Sequence, residues 1–157
     1  MLSNIEKAIS EKGIYVCKTC GNSMEPMLRE GRDRVVIVKP EFPLKKYDVP
    51  VYRRDDHYTM HRIVRVTKKG YVICGDNRIT IERDITDKDI VGVLAGFYRG
   101  DEYVECTDEA YLKYAKSVCG KYPLKLVKYT VYRVVNKLKR MFGRMGEKTS
   151  PKNKNER

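Results

Sequence analysis

The chain has 157 residues, of which 41% are hydrophobic, and this length fits one domain with a buried core. Lys and Arg outnumber Asp and Glu by 33 to 21, so the net charge is +12. This excess favours a polyanion or an anionic membrane surface as a neighbour, although a solvated basic surface explains it equally well. The five cysteines, an odd number, and the lack of an apolar leader argue against a secreted disulfide scaffold. No stretch approaches about 18 apolar residues, so we expect no membrane span and a cytoplasmic protein.

The first two thirds of the sequence predict a short helix followed by many short strands. Apolar residues recur at helical spacing within residues 1–13, and Gly13 ends the run. From residue 14 to residue 106, strand-like runs alternate with turns: IYVCKT, RVVIVKP, VPVYRR, YTMHRIVRVT, YVICG and DIVGVLAGFYRG. Short strands separated by turns predict a mainly β fold built as a small coiled sheet or barrel.

The composition changes at residue 107, and residues 107–145 are predicted to be helical. The second of two predicted helices, PLKLVKYTVYRVVNKLKRMFGRM, has apolar residues at helical spacing and Lys or Arg at many other positions. Such a basic amphipathic helix can pack on its own domain, which its tyrosines favour. It can also lie on an anionic membrane through residues 123–142. Residues 146–157 are polar and predict a disordered tail.

One irregular stretch, CGNSMEPML, contains Ser23 and suggests a nucleophile. A serine hydroxyl reacts only when a neighbouring base takes its proton, and the chain has two histidines, His57 and His61. His61 lies in a predicted strand, and Asp76 follows the next one. A turn at residues 68–70 would pair position 61 with position 76 or 78, which places His61 within reach of Asp76. A carboxylate there would orient the imidazole, as in a Ser-His-Asp triad.

Four further motifs make this interpretation specific. GNSMEPML resembles the nucleophile box of type I signal peptidases and of the LexA-type self-cleaving repressors. DVPVYRR, MHRIVRV, ICGDNR and DIVGVLAGFYR resemble, in order, the following strand, the base box, the Gly-Asp-Asn box and the closing strand of those proteins. The resemblance covers residues 14–99 and implies the signal peptidase–LexA type of coiled β-sheet. It also implies peptide-bond hydrolysis through an acyl-enzyme.

The resemblance assigns roles to single residues. A histidine base is typical of the archaeal and endoplasmic-reticulum type of signal peptidase, whereas bacterial enzymes and LexA proteins use lysine. Ser23 is thereby implied as nucleophile, His61 as general base and Asp76 as the acid that orients it. A second acid often stands six residues after the first, where this chain has Glu82, with Asp84 close by. The sequence leaves open which of these carboxylates contacts His61.

The oxyanion donors are predicted only in part. The backbone N–H of Ser23 is implied as one donor. Many relatives have a serine two residues before the nucleophile, whose hydroxyl is a second donor, but this chain has Gly21 there.

The pair Cys17 and Cys20, in CKTC, also suggests a redox or metal site. A thioredoxin-type motif requires a βαβ context, and a zinc site requires about four ligands, whereas no other cysteines form a close pair. We therefore expect neither a metal nor a cofactor, and a reversible disulfide stays open.

The leading interpretation is a serine endopeptidase that binds a peptide or protein as an extended strand. An alternative keeps the scaffold without catalysis, as a regulatory or binding module at a membrane surface or on nucleic acid. Nucleic acid is the least favoured partner, because only about 13 residues precede the first predicted strand, too few for a helix-turn-helix unit.

Overall fold

The computed structural model describes residues 4–147, with side chains described as far as residue 140. Within these residues the fold is mainly β, with nine strands in two antiparallel sheets, a short N-terminal helix and C-terminal helices, which confirms the predicted fold class. The elements in chain order are α1 (Asn4–Lys12), β1 (Ile14–Lys18), β2 (Asp33–Val38), β3 (Pro50–Arg54), β4 (His57–Met60), β5 (Arg62–Thr67), β6 (Gly70–Cys74), β7 (Ile81–Ile85), β8 (Ile90–Arg99), β9 (Glu102–Glu105), α2 (Glu109–Gly120) and α3 (Tyr122–Glu147).

The larger sheet has the order β1-β2-β8-β3-β4, and β9 also pairs with β8. Strand β8 is central, because β2 covers one side of it while β3 and β9 share the other. Helix α1 packs on this sheet at Gly92, where an added Cβ would lie 2.5 Å from Ile37 Cγ2 and 2.9 Å from Ile9 Cδ1. The glycine therefore allows the helix to approach closely and to bury its apolar side.

The smaller sheet consists of β5, β6 and β7. The sequence predicts one strand for YTMHRIVRVT, but β4 pairs with β3 in the larger sheet and β5 pairs with β6 in the smaller one. His61 lies between them, at the point where the chain passes from one sheet to the other. Strands β7 and β9 were not predicted from the sequence.

The two C-terminal helices pack on the sheets through one side each. Tyr111 and Ala115 of α2 enter the core of the larger sheet, while Tyr122, Leu126 and Tyr129 of α3 pack against buried residues of the smaller sheet. Helix α3 continues to Glu147, so most of the predicted disordered tail lies outside the described residues. None of the helices described here has both the length and the apolar character needed to cross a bilayer.

Candidate active site

Ser23 lies in a turn whose neighbouring side chains are buried in the core. Met24 and Leu28 are 4% and 2% exposed and belong to the main core, so the turn cannot move without disturbing the core. The turn is also tied to the loop after β6, because the backbone N–H of Asn77 donates to the Ser23 carbonyl oxygen at 2.8 Å. Ser23 itself is half-buried and lines a cleft.

His61 is held by a carboxylate from β7. Its Nδ1 lies 2.8 Å from Glu82 Oε1, and both side chains are nearly buried, at 12% and 10% exposure. The hydroxyl of Tyr52, from β3, donates to the same carboxylate oxygen at 2.7 Å and lies 3.0 Å from His61 Nδ1. Arg54, also from β3, forms a close ion pair with the second oxygen of Glu82. Side chains from two strands, β3 and β7, thus hold one imidazole.

This arrangement determines the charge of Glu82 and the tautomer of His61. Burial alone would raise the pKa of Glu82, but hydrogen bonds from His61 and Tyr52 outweigh it and leave the pKa below its ordinary value. Glu82 is therefore ionised at neutral pH and can only accept hydrogen bonds. His61 Nδ1 must then carry the proton it donates, so in the neutral ring the basic lone pair is on Nε2. Burial and the hydrogen bond to Glu82 raise the pKa of Tyr52, which keeps its proton.

Ser23 and His61 both approach Gly75. A Cβ added at Gly75 would lie 2.8 Å from the Ser23 carbonyl oxygen and 3.1 Å from His61 Cδ2, so only glycine fits between them. Within the described part of the chain, neither the hydroxyl nor the backbone N–H of Ser23 has a hydrogen-bond partner. Both groups are thus available to a bound molecule.

Asp76 takes a different place from the predicted one. Its carboxylate receives hydrogen bonds from Arg62 Nε at 2.9 Å and Nη2 at 2.7 Å, and from the Tyr114 hydroxyl at 3.1 Å. The side chains of Arg62 and Asp76 are fully buried. Burial would lower the pKa of Arg62, but the bonds and charge of Asp76 raise it, so the guanidinium stays charged. The expectation that Asp76 faces His61 is therefore not met.

A β-bulge explains this outcome. The predicted register holds beside the turn, where Val66 pairs with Tyr71, but Val64 is left over, and beyond it Ile63 pairs with Ile73. The shift of one residue sets His61 opposite Gly75 rather than opposite Asp76, which turns Asp76 to the other face of the sheet.

The same register brings Glu82 to the histidine. Glu82 pairs with Ile73, which in turn pairs with Ile63, so the three side chains form one row across the sheet. His61 is two residues from Ile63 and shares its face. Asp76, two residues from Cys74, shares the opposite face, on which α2 and α3 pack.

Two functional contacts have no counterpart in the sequence interpretation. Tyr52 is fully buried beside His61, but a tyrosine in a strand is usually a core residue and gives no signal of this contact. Lys125 of α3 donates from Nζ to the carbonyl oxygens of Gly75 and Asp76, at 2.9 and 2.8 Å. A lysine 50 residues away in the sequence therefore holds the loop that lies next to Ser23 and His61.

A cleft of about 290 Å³ opens beside Ser23. Strand β1 forms one wall through Cys17 and Lys18, and strand β4 forms another through Tyr58 and Thr59. Apolar core side chains form its floor: Met24, Leu28, Val35, Ile37 and Val51. Both walls are edge strands of the larger sheet, so the sheet curls until its two edges flank the same cleft.

The remaining candidates lie away from His61. Asp84 is exposed on β7, with a φ of +64°, and His57 is exposed at the start of β4. Cys17 and Cys20 are both free thiols at the cleft, and burial raises the pKa of Cys17. In the described part of the chain no group of three or more His, Cys, Asp or Glu side chains is arranged to hold a metal ion.

The structure thus brings together the turn of Ser23, a histidine between two sheets and a cleft between two strand edges. The family model of the S24-like peptidases matches residues 3–95, which is more than half of the chain. The chain therefore belongs to the peptidase S24-like family, the group that includes the LexA-type proteins. No curated protein matches the chain, and no solved structure does.

Proposed function

We propose that the protein is a serine endopeptidase in which Ser23 is the nucleophile, His61 the general base and Glu82 the acid that orients His61. The observation that carries this proposal is the 2.8 Å contact between His61 Nδ1 and an ionised, nearly buried Glu82 beside the turn of Ser23. A buried carboxylate on one ring nitrogen fixes the tautomer and stabilises the charged ring. Asp76 has a structural role in this proposal, because Arg62 occupies its carboxylate.

The reaction follows from the protonation of the site. Nε2 of His61 takes the proton of the Ser23 hydroxyl as Oγ attacks the scissile carbonyl, and the resulting imidazolium is stabilised by Glu82. The proton then passes to the leaving amine, and an acyl-enzyme forms on Oγ. Water, deprotonated by the same nitrogen, releases the acid and restores the serine. Substrate binding is expected to form the hydrogen bond between Ser23 Oγ and His61 Nε2, because catalytic hydrogen bonds often tighten only in the complex with substrate.

The backbone N–H of Ser23 is proposed as an oxyanion donor, since it has no partner within the described residues. Gly21 contributes no hydroxyl to this task, in contrast to the serine of many related peptidases. It has a φ of +79°, which suits glycine and would strain a serine.

The cleft supports an extended peptide as substrate. Edge strands present unpaired backbone N–H and C=O groups, and here two edges, β1 and β4, flank the nucleophile. A peptide segment lying between them can add to the sheet by backbone hydrogen bonds. Such bonds would bind peptides of different sequences. The cleft has a volume of about 290 Å³ and an apolar floor, which favours an apolar side chain just before the scissile bond.

The proposal is tested by incubating the purified protein with a peptide library made from a whole proteome and identifying new termini by mass spectrometry. Wild type should produce new termini with apolar residues before the cut, and Ser23→Ala should produce none. Ser10→Ala, an exposed serine of α1, is the matched control and should cleave as wild type does. Equal cleavage by Ser23→Ala, with circular dichroism showing both proteins folded, would overturn the proposal in favour of a contaminant. No cleavage by wild type would favour a non-catalytic binding module.

A further inference from the structure

Helix α3 has two apolar sides, and only one of them packs on the protein. Tyr122, Leu126 and Tyr129 face the smaller sheet. Residues two apart on a helix point about 200° away from each other, so Leu124 and Val127 lie almost opposite Leu126 and Tyr129. The side of α3 that faces away from the protein is therefore also apolar.

The outward side forms a continuous aliphatic stripe. Its described members are Leu124, Val127, Val131, Val134, Val135 and Leu138. Their exposure ranges from 41% at Val135 to 66% at Leu124, and the stripe extends for about 21 Å along the helix. Single exposed apolar residues are common, but six aliphatic residues aligned on one helix face mark an interaction surface.

Helix α3 carries many cations and no acidic partners over its described side chains. Residues 122–140 include six basic residues and no acidic one: Lys125, Lys128, Arg133, Lys137, Lys139 and Arg140. Lys125 donates hydrogen bonds to the carbonyl oxygens of Gly75 and Asp76, in the loop after β6. None of the six basic residues forms an ion pair with a described carboxylate. At about 100° per residue, Lys128, Lys137 and Lys139 lie beside the stripe, whereas Arg133 and Arg140 line the groove between β7 and α3.

We propose that this face of α3, the aliphatic stripe with its flanking lysines, docks the protein on an anionic membrane surface. An apolar helix face enters the boundary between headgroups and acyl chains, while long basic side chains reach anionic headgroups beside it. Each cation near such a surface adds to the attraction, which falls as salt increases. The domain lies on the opposite side of α3, so it does not obstruct this contact. The inference does not depend on the proposed peptidase activity.

A second copy of the chain is the competing occupant. Residues 124, 127, 131, 134 and 138 are spaced alternately by three and four, as in the seam of a coiled coil. The positions that flank such a seam include Lys128 and Lys137, and no acidic residue of the helix segment 122–140 can pair with them. Two copies would therefore bring like charges together, whereas anionic lipid complements them. Nucleic acid would match the cations but would leave the aliphatic stripe in water.

The test is flotation of the full chain with vesicles of phosphatidylcholine, with and without phosphatidylserine, at low and high salt. Wild type should float with the anionic vesicles at low salt and much less with the neutral ones. Val131→Asp should weaken this binding about 100-fold or more. Val66→Asp is the matched control, because Val66 is a similarly exposed valine on β5, 46% exposed against 56% for Val131. It makes the same change in net charge and should bind within a few-fold of wild type.

The cations are tested by a second matched pair. Lys128→Gln/Lys139→Gln removes two charges beside the stripe, and Lys68→Gln/Lys69→Gln removes two exposed charges from the turn between β5 and β6. Only the first pair should reduce binding to anionic vesicles. Failure of wild type to float, or equal binding by Val131→Asp and Val66→Asp, would overturn the proposal. A dimer in sedimentation that Val131→Asp dissociates, without flotation of wild type, would assign the stripe to a second copy instead.

Discussion

Replacing Glu82 by glutamine tests the proposed role of this carboxylate most directly. Glutamine keeps the shape of the side chain and one acceptor oxygen, so it can still accept a hydrogen bond from His61 Nδ1 and fill the same space. It removes the negative charge that would stabilise the imidazolium during attack by Ser23. The change therefore separates electrostatic stabilisation from packing.

The size of the effect follows from the geometry. With the charges of Glu82 and a protonated His61 about 4 Å apart and an effective dielectric constant of about 20, their attraction is about 4 kcal/mol. Each 1.36 kcal/mol corresponds to about a tenfold change in rate, so the upper limit is about 1000-fold. Arg54 already neutralises part of the charge of Glu82. We therefore expect kcat/KM to fall about 100- to 1000-fold, mainly through kcat.

The assay is hydrolysis of a peptide identified in the library experiment, followed by separate determination of kcat and KM. Asp84→Asn is the matched control: it removes a carboxylate two residues away on the same strand, but one that is exposed. Asparagine also tolerates the positive φ of that position. Activity of Glu82→Gln within about threefold of wild type, or an equal loss in Asp84→Asn, would refute the assignment of Glu82.

The same variant predicts a change in the pH dependence of stability. Because the pKa of Glu82 is lowered in the folded protein, its contribution is fully present above the unfolded value of 4.5. That contribution is lost as the pH falls through the lower folded value. Between about pH 5 and pH 3, wild type should lose more free energy of unfolding than Glu82→Gln does. If the free energy of unfolding in urea changed with pH equally in the two proteins, the contacts of Glu82 would not lower its pKa.

Two further substitutions test the surroundings of the site. Asp76→Asn should lower the free energy of unfolding by about 3–5 kcal/mol, because it leaves the charge of Arg62 buried without a counter-ion. A loss below about 1 kcal/mol in urea unfolding would contradict a structural role for this pair. Gly75→Ala should reduce kcat/KM at least about 100-fold, since the new methyl group forces Ser23 away from His61. Gly120→Ala, in open space at the end of α2, should leave activity unchanged, and full activity of Gly75→Ala would show that the site tolerates the displacement.

Local patterns in the sequence predicted the architecture well. Short apolar runs between turns gave the β character, and the order of the motifs placed Ser23 and His61 in the same region. The sequence did not reveal that the strand around His61 is two strands in different sheets. Both halves have strand-like composition, and the change of partner depends on which distant strands lie alongside, so no local signal marks it.

Residue spacing alone could not predict which carboxylate contacts His61. Counting residues across the turn gave two possible registers, of which the one that pairs 61 with 76 holds near residue 70, but one extra residue at Val64 reversed the faces beyond it. A bulge is decided by packing on both sides of a strand, here by α2 and α3 on one face and by the larger sheet on the other. Glu82 was available as an alternative only through the resemblance, and Tyr52 was not available at all.

Two carboxylates close to each other in the sequence lie on opposite faces of the smaller sheet, and the bulge at Val64 decides which of them shares a face with His61. Glu82 faces the larger sheet, where it contacts His61 and Tyr52. Asp76 faces the C-terminal helices, where Tyr114 reinforces its ion pair with Arg62.

The family match ends at residue 95, yet side chains from beyond it support the site. Tyr111 and Tyr114 of α2 contact the buried Arg62–Asp76 pair, and Lys125 of α3 holds the carbonyl oxygens of the adjoining loop. The C-terminal helices therefore support the candidate active site, because they hold the loop that lies next to Ser23 and His61. The helix that we propose to dock on anionic lipid is also the one that holds this loop. Lys125 of α3 thus contacts the loop of the candidate active site directly, so a movement of α3 at a membrane would reach that loop.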